Sequence, residues 1–464
     1  MKPIRHIILI FGVLLLASGC NKFLDVKPKG TLIPTTLAEY SKILDFEYNF
    51  KLSDDIADFF SDDAYLYGTI YSSWLSASMQ RAYKWESPMF YSDDYDGDWS
   101  STYSRIFNFN LIIKEVDGAE LGTPQQKNIL KGEAYLARAF EYLRLVQKYG
   151  KPYDPTSSQT DPGVPLRLEP VVAPEILTRA SVQDVLDLVA DDLNNALALG
   201  LPDLAHHRHR GSKAGLYGLL AKMHLYKREY QEVYNYADMA LQLLGSTVPL
   251  ENFNDYSVVD PNSGYGRTDL PNAHEGVEAV YLKLGEQSIP SGYVFISNSL
   301  KSLYSEGDLR FEFFFANPYY GVSYETDMLA RHLMVNLGVG TPELLLLRAE
   351  GAARTDNLTE ALRDLNALRA KRLTPQAYGS GFNSSIKNDV IQMILDERRR
   401  ELCFYNGTRL YDMKRLSKDP QFKTATLTRT VEGETYTLAP ESGRYALPIW
   451  LKVIESNPGM EQNN

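Results

Sequence analysis

The chain has 464 residues, with 59 Asp and Glu against 48 Lys and Arg for a formal net charge of −11. That balance gives no long-range attraction to phosphate backbones, so nucleic acid is excluded as an expected partner. With two cysteines in all, Cys20 and Cys403, a disulfide scaffold is excluded too, and the fold must rest on core burial, for which the length is ample.

The N-terminus opens with Lys2 and Arg5, continues as an apolar run over residues 7–17, and ends in Ser18-Gly19-Cys20. A bilayer span needs about 20 apolar residues. The shorter run is therefore expected to be a signal peptide, residues 1–19, removed during export. Small residues directly before a cysteine resemble the bacterial lipobox, which implies that the Cys20 thiol is acylated and becomes the new N-terminus. Loss of Lys2 and Arg5 with the leader would take the net charge from −11 to −13. The polar segment 21–30, ending in Pro28 and Gly30, reads as a tether leading into the fold.

Legible helices follow. Thr123-Pro124-Gln125-Gln126 supplies an N-cap, a proline at the first helical position and a capping-box glutamine. Ile129, Leu136, Phe140 and Leu143 then recur at helical spacing until Gly150 and Pro152. Ser181 and Asp184 open a second helix, with Val182, Leu186, Val189, Leu193 and Ala196 on one stripe. Between these helices, Pro155, Pro162, Pro165, Pro170 and Pro174 predict an extended, non-helical connection.

From Ser212 the pattern is a helical hairpin, broken near Lys227-Arg228-Glu229 and resumed at Tyr230 through Ala237 and Ala240. Small residues at these offsets resemble the second half of a tetratricopeptide repeat, where they let paired helices approach closely. The register recurs from Pro342 through Ala349 and Ala352, then from Asn357 through Leu368, so a degenerate hairpin repeat is expected. A last strong helix is predicted over 390–405, with Asp396 and Arg400 placed to pair across one turn. Residues 245–340 are rich in Gly, Pro, Asn and Tyr, with short strand-like runs such as 278–282, and read as a loop-rich insertion.

In order and spacing, several segments together resemble the SusD/RagB family of nutrient-binding outer-membrane lipoproteins of Bacteroidota. They are Cys20-Asn21-Lys22-Phe23-Leu24-Asp25, Gly132-Glu133-Ala134-Tyr135-Leu136-Ala137-Arg138-Ala139, Glu350 with Ala361-Leu362, Glu397-Arg398 with Glu401-Leu402, Gly407-Thr408-Arg409-Leu410-Tyr411-Asp412-Met413-Lys414-Arg415, and Leu447-Pro448-Ile449 with Asn457-Pro458. Two positions depart from the family's pattern: Arg369-Ala370-Lys371-Arg372 lacks a glycine, and Leu410 stands where Trp is usual. The resemblance implies a mainly α fold, a superhelix of tetratricopeptide-like hairpins. One domain is expected over 20–464, its helical scaffold at about 31–244 and 341–416 and its short-stranded insertion at about 245–340. It also implies a lipid anchor at the outer membrane, surface exposure, and delivery of captured oligosaccharides to a SusC-type TonB-dependent transporter. Some members of the family take peptides instead, and a peptide-binding surface lipoprotein is the alternative.

Sugar rings stack on aromatic side chains while polar neighbours bind hydroxyls, and the chain has 31 Tyr, 19 Phe and 4 Trp to supply them. The densest cluster is Tyr65, Tyr67, Tyr71, Trp74, Tyr83, Trp85, Tyr91, Tyr95 and Trp99, interleaved with Asp62, Asp63, Asp93, Asp94, Asp96 and Asp98 as acceptors for sugar hydroxyls. The same pattern also fits rings that pack the first helices and aspartates that solvate a loop. Tyr319 and Tyr320, after Asn317-Pro318, form a second candidate, whereas Phe313-Phe314-Phe315 should pack inside. The run 93–98 does not match an EF-hand, and His206-His207-Arg208-His209 reads as a solvated linker, so no metal or other cofactor is expected. No Gly-x-Ser-x-Gly, Gly-x-x-x-x-Gly-Lys or His-Glu-x-x-His motif occurs, and no catalysis is expected.

Overall fold

The structure, a computed structural model, describes residues 34–463 apart from 54–55, 67–74, 172–175, 261–266, 287–294, 317–325, 330–334 and 406. Helices α1 (Leu37–Asp45), α2 (Ala77–Tyr83) and α3 (Gly97–Glu115) lead into α4 (Pro124–Tyr149), the longest helix among the described residues. The predicted cap of α4 is in place: Thr123 Oγ1 accepts from Gln126 N at 3.3 Å and Gln126 Oε1 accepts from Thr123 N at 2.8 Å. The same reciprocal box, Ser181 with Asp184, starts α5 (Val182–Ala198). Each such cap contributes about 1 kcal/mol by satisfying amides that have no partner inside the helix.

Two further hairpins follow, α6 (Lys213–Lys227) with α7 (Tyr230–Leu243), and α8 (Thr341–Arg354) with α9 (Leu358–Arg369). Arg228 makes the first break in the left-handed region, φ 62°. The helices stack in sequence, α4 on α5, α6 on α7, α7 on α8 and α8 on α9, which is the expected mainly α scaffold of repeated hairpins. Small residues permit it. A Cβ on Gly351 of α8 would lie 2.7 Å from Tyr234 N and 2.9 Å from Tyr230 O, so α7 and α8 touch backbone to backbone.

The segment 245–340 is indeed short-stranded, but its strands are not self-contained. Lys51–Ser53 runs parallel to Leu284–Glu286, and Ala64–Tyr65 pairs with Phe295–Ile296 in a four-stranded sheet completed by Met328–Leu329 and Phe315–Ala316. Phe313, Phe314 and Phe315 are buried there, as their apolar run predicts.

The C-terminal helix α10 is Lys387–Glu401, and α11 (Thr408–Leu416) follows. Asp396 and Arg400 do not pair, contrary to expectation. Asp396 accepts from Gln392 at 2.9 Å, while Arg400 turns inward to Glu397 at 2.6 Å. The charges of this run are structural and largely internal. Arg398 donates to Glu343 (3.0 Å) and Asp412 (2.9 Å), and Glu401 receives both Arg310 (3.0 Å) and Arg372 (2.8 Å). Burial alone would raise the Glu397 carboxyl, but Arg310, Arg400 and Arg369 outweigh it and hold the group well below the ordinary carboxylate range. A β-hairpin, Leu427–Val431 with Glu434–Leu438, turns at Glu432 (φ 52°) and Gly433 (φ 90°). Helix α12 (Leu451–Ser456) follows near the C-terminus.

Candidate functional site

The hairpin decides the fate of two expected ligand rings. Its Arg429 reaches back to donate to Phe59 O at 3.0 Å and lies 4.0 Å over Tyr83 and 4.3 Å over Trp85. Trp85 is 1% exposed, and its indole N–H donates to Phe60 O at 2.8 Å. Tyr83 is buried as well, its hydroxyl accepting from Leu66 N at 3.2 Å. Trp99 packs edge-on against Tyr149 at 4.9 Å inside the main core. These three rings offer no open face, so their expected role in stacking a ligand is corrected to packing.

Tyr65 is half-buried on the four-stranded sheet. Tyr67, Tyr71, Trp74, Tyr319 and Tyr320 lie outside the described residues. The strands that precede these segments, Ala64–Tyr65 and Phe315–Ala316, belong to that one sheet.

Most of the aspartates are also used by the protein itself. Asp62 is forked by Arg409 (2.6 and 2.8 Å) and Asp63 pairs with Arg399 (2.7 Å). Asp96 caps α3 through Trp99 N (3.0 Å) and accepts from Tyr149 Oη (2.8 Å), while Asp98 pairs with Arg144 and Lys148, both at 3.0 Å. Asp63 Oδ2 has no partner but is buried, and the other three carboxylates are taken up by the protein's own donors, so the expected role of these four in receiving sugar hydroxyls is corrected to structural pairing.

Tyr91 and Tyr95 differ from the rest, with 49% and 65% of their surface open. Between them, Asp94 acts as a hub. Its carboxylate pairs with Arg81 and accepts from Tyr91 N at 2.6 Å, its own N–H donates to Tyr91 O at 3.1 Å, and its carbonyl accepts the indole N–H of Trp450 at 2.7 Å. Trp450 in turn meets Tyr95 edge-on at 5.1 Å, and Arg81 lies 4.5 Å over Tyr91. The result is a turn whose two exposed rings are held in place from below.

Beside it opens a cleft of about 350 Å³, bounded by segment 86–91 on one wall and by Arg444, Pro448, Leu451 and Gln462 on the other. Its apolar floor and walls come from Phe60, Met89 and Phe90, and Gln462 is fixed by two hydrogen bonds to Ile449, at 2.8 and 2.7 Å. Sequence reasoning missed Trp450 and Arg444, because the turn that Trp450 bonds and the cleft wall that Arg444 faces lie some 350 residues away along the chain and no local periodicity links them. The histidine segment 206–209 is elsewhere, with His209 stacked on Phe50 at 4.6 Å and 2.9 Å from Asp45.

A family model described as "Starch-binding associating with outer membrane" matches residues 22–225, and the SusD family model matches residues 341–464. None of the curated proteins searched matches the chain. Among solved structures, a SusD superfamily protein from Bacteroides vulgatus superposes with a TM-score of 0.70 at 20% identity, covering 92% of this chain and 99% of its own. A second, from Bacteroides thetaiotaomicron, gives 0.69 at 18% identity over 93% and 100%. A SusD-like carbohydrate binding protein from Bacteroides vulgatus gives 0.65 at 19% identity over 92% and 97%. The fold is shared along nearly the whole length, the two family models match its two ends in order, and the chain belongs to the SusD/RagB family.

Proposed function

We propose that the protein is a non-catalytic receptor that binds oligosaccharides in the cleft beside Tyr91 and Tyr95 and passes them to a SusC-type TonB-dependent transporter in the outer membrane. Acylated Cys20 would hold it there; no helix among the described residues is long and apolar enough to cross a membrane. The observation that carries the reading is the Tyr91–Asp94–Trp450 arrangement. Exposed rings cost free energy in water and gain it by stacking on the apolar face of a pyranose, and rings fixed beforehand lose little entropy on binding. The names of the family model and of a structural neighbour, starch-binding and carbohydrate-binding, point the same way.

Titration with a panel of oligosaccharides and peptides, followed by calorimetry and by tryptophan fluorescence, tests the reading. Saturable binding of a sugar, abolished in the Tyr91→Ala, Trp450→Ala double variant, is expected; saturation by peptides alone would overturn it. Labelling with a fatty-acid probe that is lost in Cys20→Ala is the expected result for the anchor, and co-purification with a transporter from mildly solubilised outer membranes is expected for the partner.

A further inference from the structure

The charge inside the cleft is one-sided. Only two charged residues line it, Glu86 and Arg444. Glu86 is neutralised by Lys84 at 2.6 Å. The neighbouring Arg81 is likewise satisfied by Asp94. Arg444 is exposed, and among the described residues no carboxylate comes within ion-pair distance of its guanidinium. Lys452 does not line the cleft; it stands 5.7 Å from the Trp450 ring, and among the described residues no carboxylate pairs with it. Asp93 is exposed on the Tyr91 turn but does not line the cleft.

In a chain of net charge −11, several buried arginines are forked by carboxylates, Arg105 by Glu141, Arg138 by Asp192, Arg348 by Asp364, Arg409 by Asp62 and Arg415 by Glu350, and others, such as Arg179 and Arg429, are taken up by backbone carbonyls. Arg444 keeps its donors open at the edge of an aromatic cleft. A guanidinium presents a planar fork that matches a carboxylate in two parallel hydrogen bonds, and it keeps its charge at every physiological pH.

We infer that the cleft selects acidic glycans, with a uronate carboxylate read by Arg444 while Tyr91 or Tyr95 stacks the sugar ring. The inference rests on the reading of the cleft as a glycan site and adds the class of sugar.

Calorimetry on the full mature protein would test it, using oligomers of galacturonate, glucuronate and mannuronate beside the same oligomers with their carboxyl groups reduced to alcohols. The ring faces are kept and the charge is removed. For at least one pair the acid should bind about tenfold more tightly than its reduced form, the scale of one charge-assisted contact at a partly exposed site. That ratio should fall with added salt, and in Arg444→Gln it should collapse to about one. Equal binding of acid and reduced forms by the wild-type protein, or a preference that survives in Arg444→Gln, overturns the assignment. Binding of neutral glycans alone removes the acidic selectivity and leaves the glycan reading standing, whereas binding of no sugar at all removes both.

Discussion

Arg415 of α11 and Glu350 of α8 meet as a two-pronged, fully buried ion pair, Nη1 to Oε1 at 2.7 Å and Nη2 to Oε2 at 2.9 Å. Both are positions that carry the family resemblance, and neither faces the candidate cleft. Taking two charges out of water is repaid only while both partners are present. Glu350→Ala and Arg415→Ala should therefore each destabilise by about 3–5 kcal/mol. The double variant Glu350→Leu, Arg415→Met leaves no charge stranded there, and Asp412 keeps Arg398 as a partner at 2.9 Å. Its urea midpoint should lie well above either single variant; a midpoint at the sum of the two losses would contradict this account of the pair.

Lys283 makes a different prediction, because its charge is poorly compensated. The ammonium is enclosed by Phe109, Phe140 and Tyr281, with ring centroids at 5.5, 5.5 and 5.1 Å, and its hydrogen bond to Asn49 O is long at 3.3 Å. Burial pushes it down to about 8, with Glu141 opposing. In the unfolded chain the amine keeps its proton to near 10.5, so in that window the unfolded state binds more protons and stability rises with pH. Below about 8 the folded state carries the full desolvation penalty. Urea midpoints measured from about pH 7.5 to 9.5 should climb through the contribution of this group, and the climb should be smaller in Lys283→Met. At neutral pH that variant should be at least as stable as the wild type.

How much of this was legible depends on the range of the interaction. Helix starts were readable because a cap is local: Thr123 with Gln126 and Ser181 with Asp184 are three residues apart. The hairpin scaffold was readable from small residues at helical spacing. Burial of Trp85 was not, since it depends on Arg429 arriving from a hairpin 344 positions later along the chain. That hairpin does have a local signal, Glu432-Gly433 between alternating β-branched residues, the pattern of a two-residue turn needing positive φ. In the run 396–401 only the pairing of Asp396 with Arg400 was readable by spacing, and it does not form. The run's partners Asp63, Arg310, Glu343, Arg369, Arg372 and Asp412 come from other segments, and charge spacing along one helix cannot reveal them.

Gly351 tests whether the close approach of hairpins holds the scaffold together. Alanine is favoured over glycine in a helix interior by about 1 kcal/mol, so Gly351→Ala would stabilise an isolated α8. Here the added methyl would sit 2.7 Å from Tyr234 N and 2.9 Å from Tyr230 O, both backbone atoms that cannot swing aside. Forcing α7 and α8 apart should outweigh the propensity gain and leave a net loss of about 1–2 kcal/mol. Thermal unfolding decides the sign; a raised midpoint would mean that the interface is softer than its packing implies.

Asp94 is the residue on which the geometry of the cleft depends without offering a ring of its own. Its carboxylate ties Arg81 to Tyr91 N, and its carbonyl holds the indole of Trp450. Asp94→Ala keeps the carbonyl and Trp450 but frees the Tyr91 turn and leaves Arg81 unpaired. The pair is largely buried, with its side chains 14% and 13% exposed, so global stability should fall by about 1–3 kcal/mol. Affinity for the bound glycan should drop by about tenfold, through the entropy of ordering two rings that the wild type holds in advance. Asp94→Asn keeps one acceptor for Tyr91 N and should fall between the two. Calorimetry separates this role from direct contact, because lost preorganisation appears mainly as a less favourable binding entropy while the enthalpy of ring stacking stays close to that of the wild type. A loss carried wholly by enthalpy would place Asp94 in contact with the sugar instead.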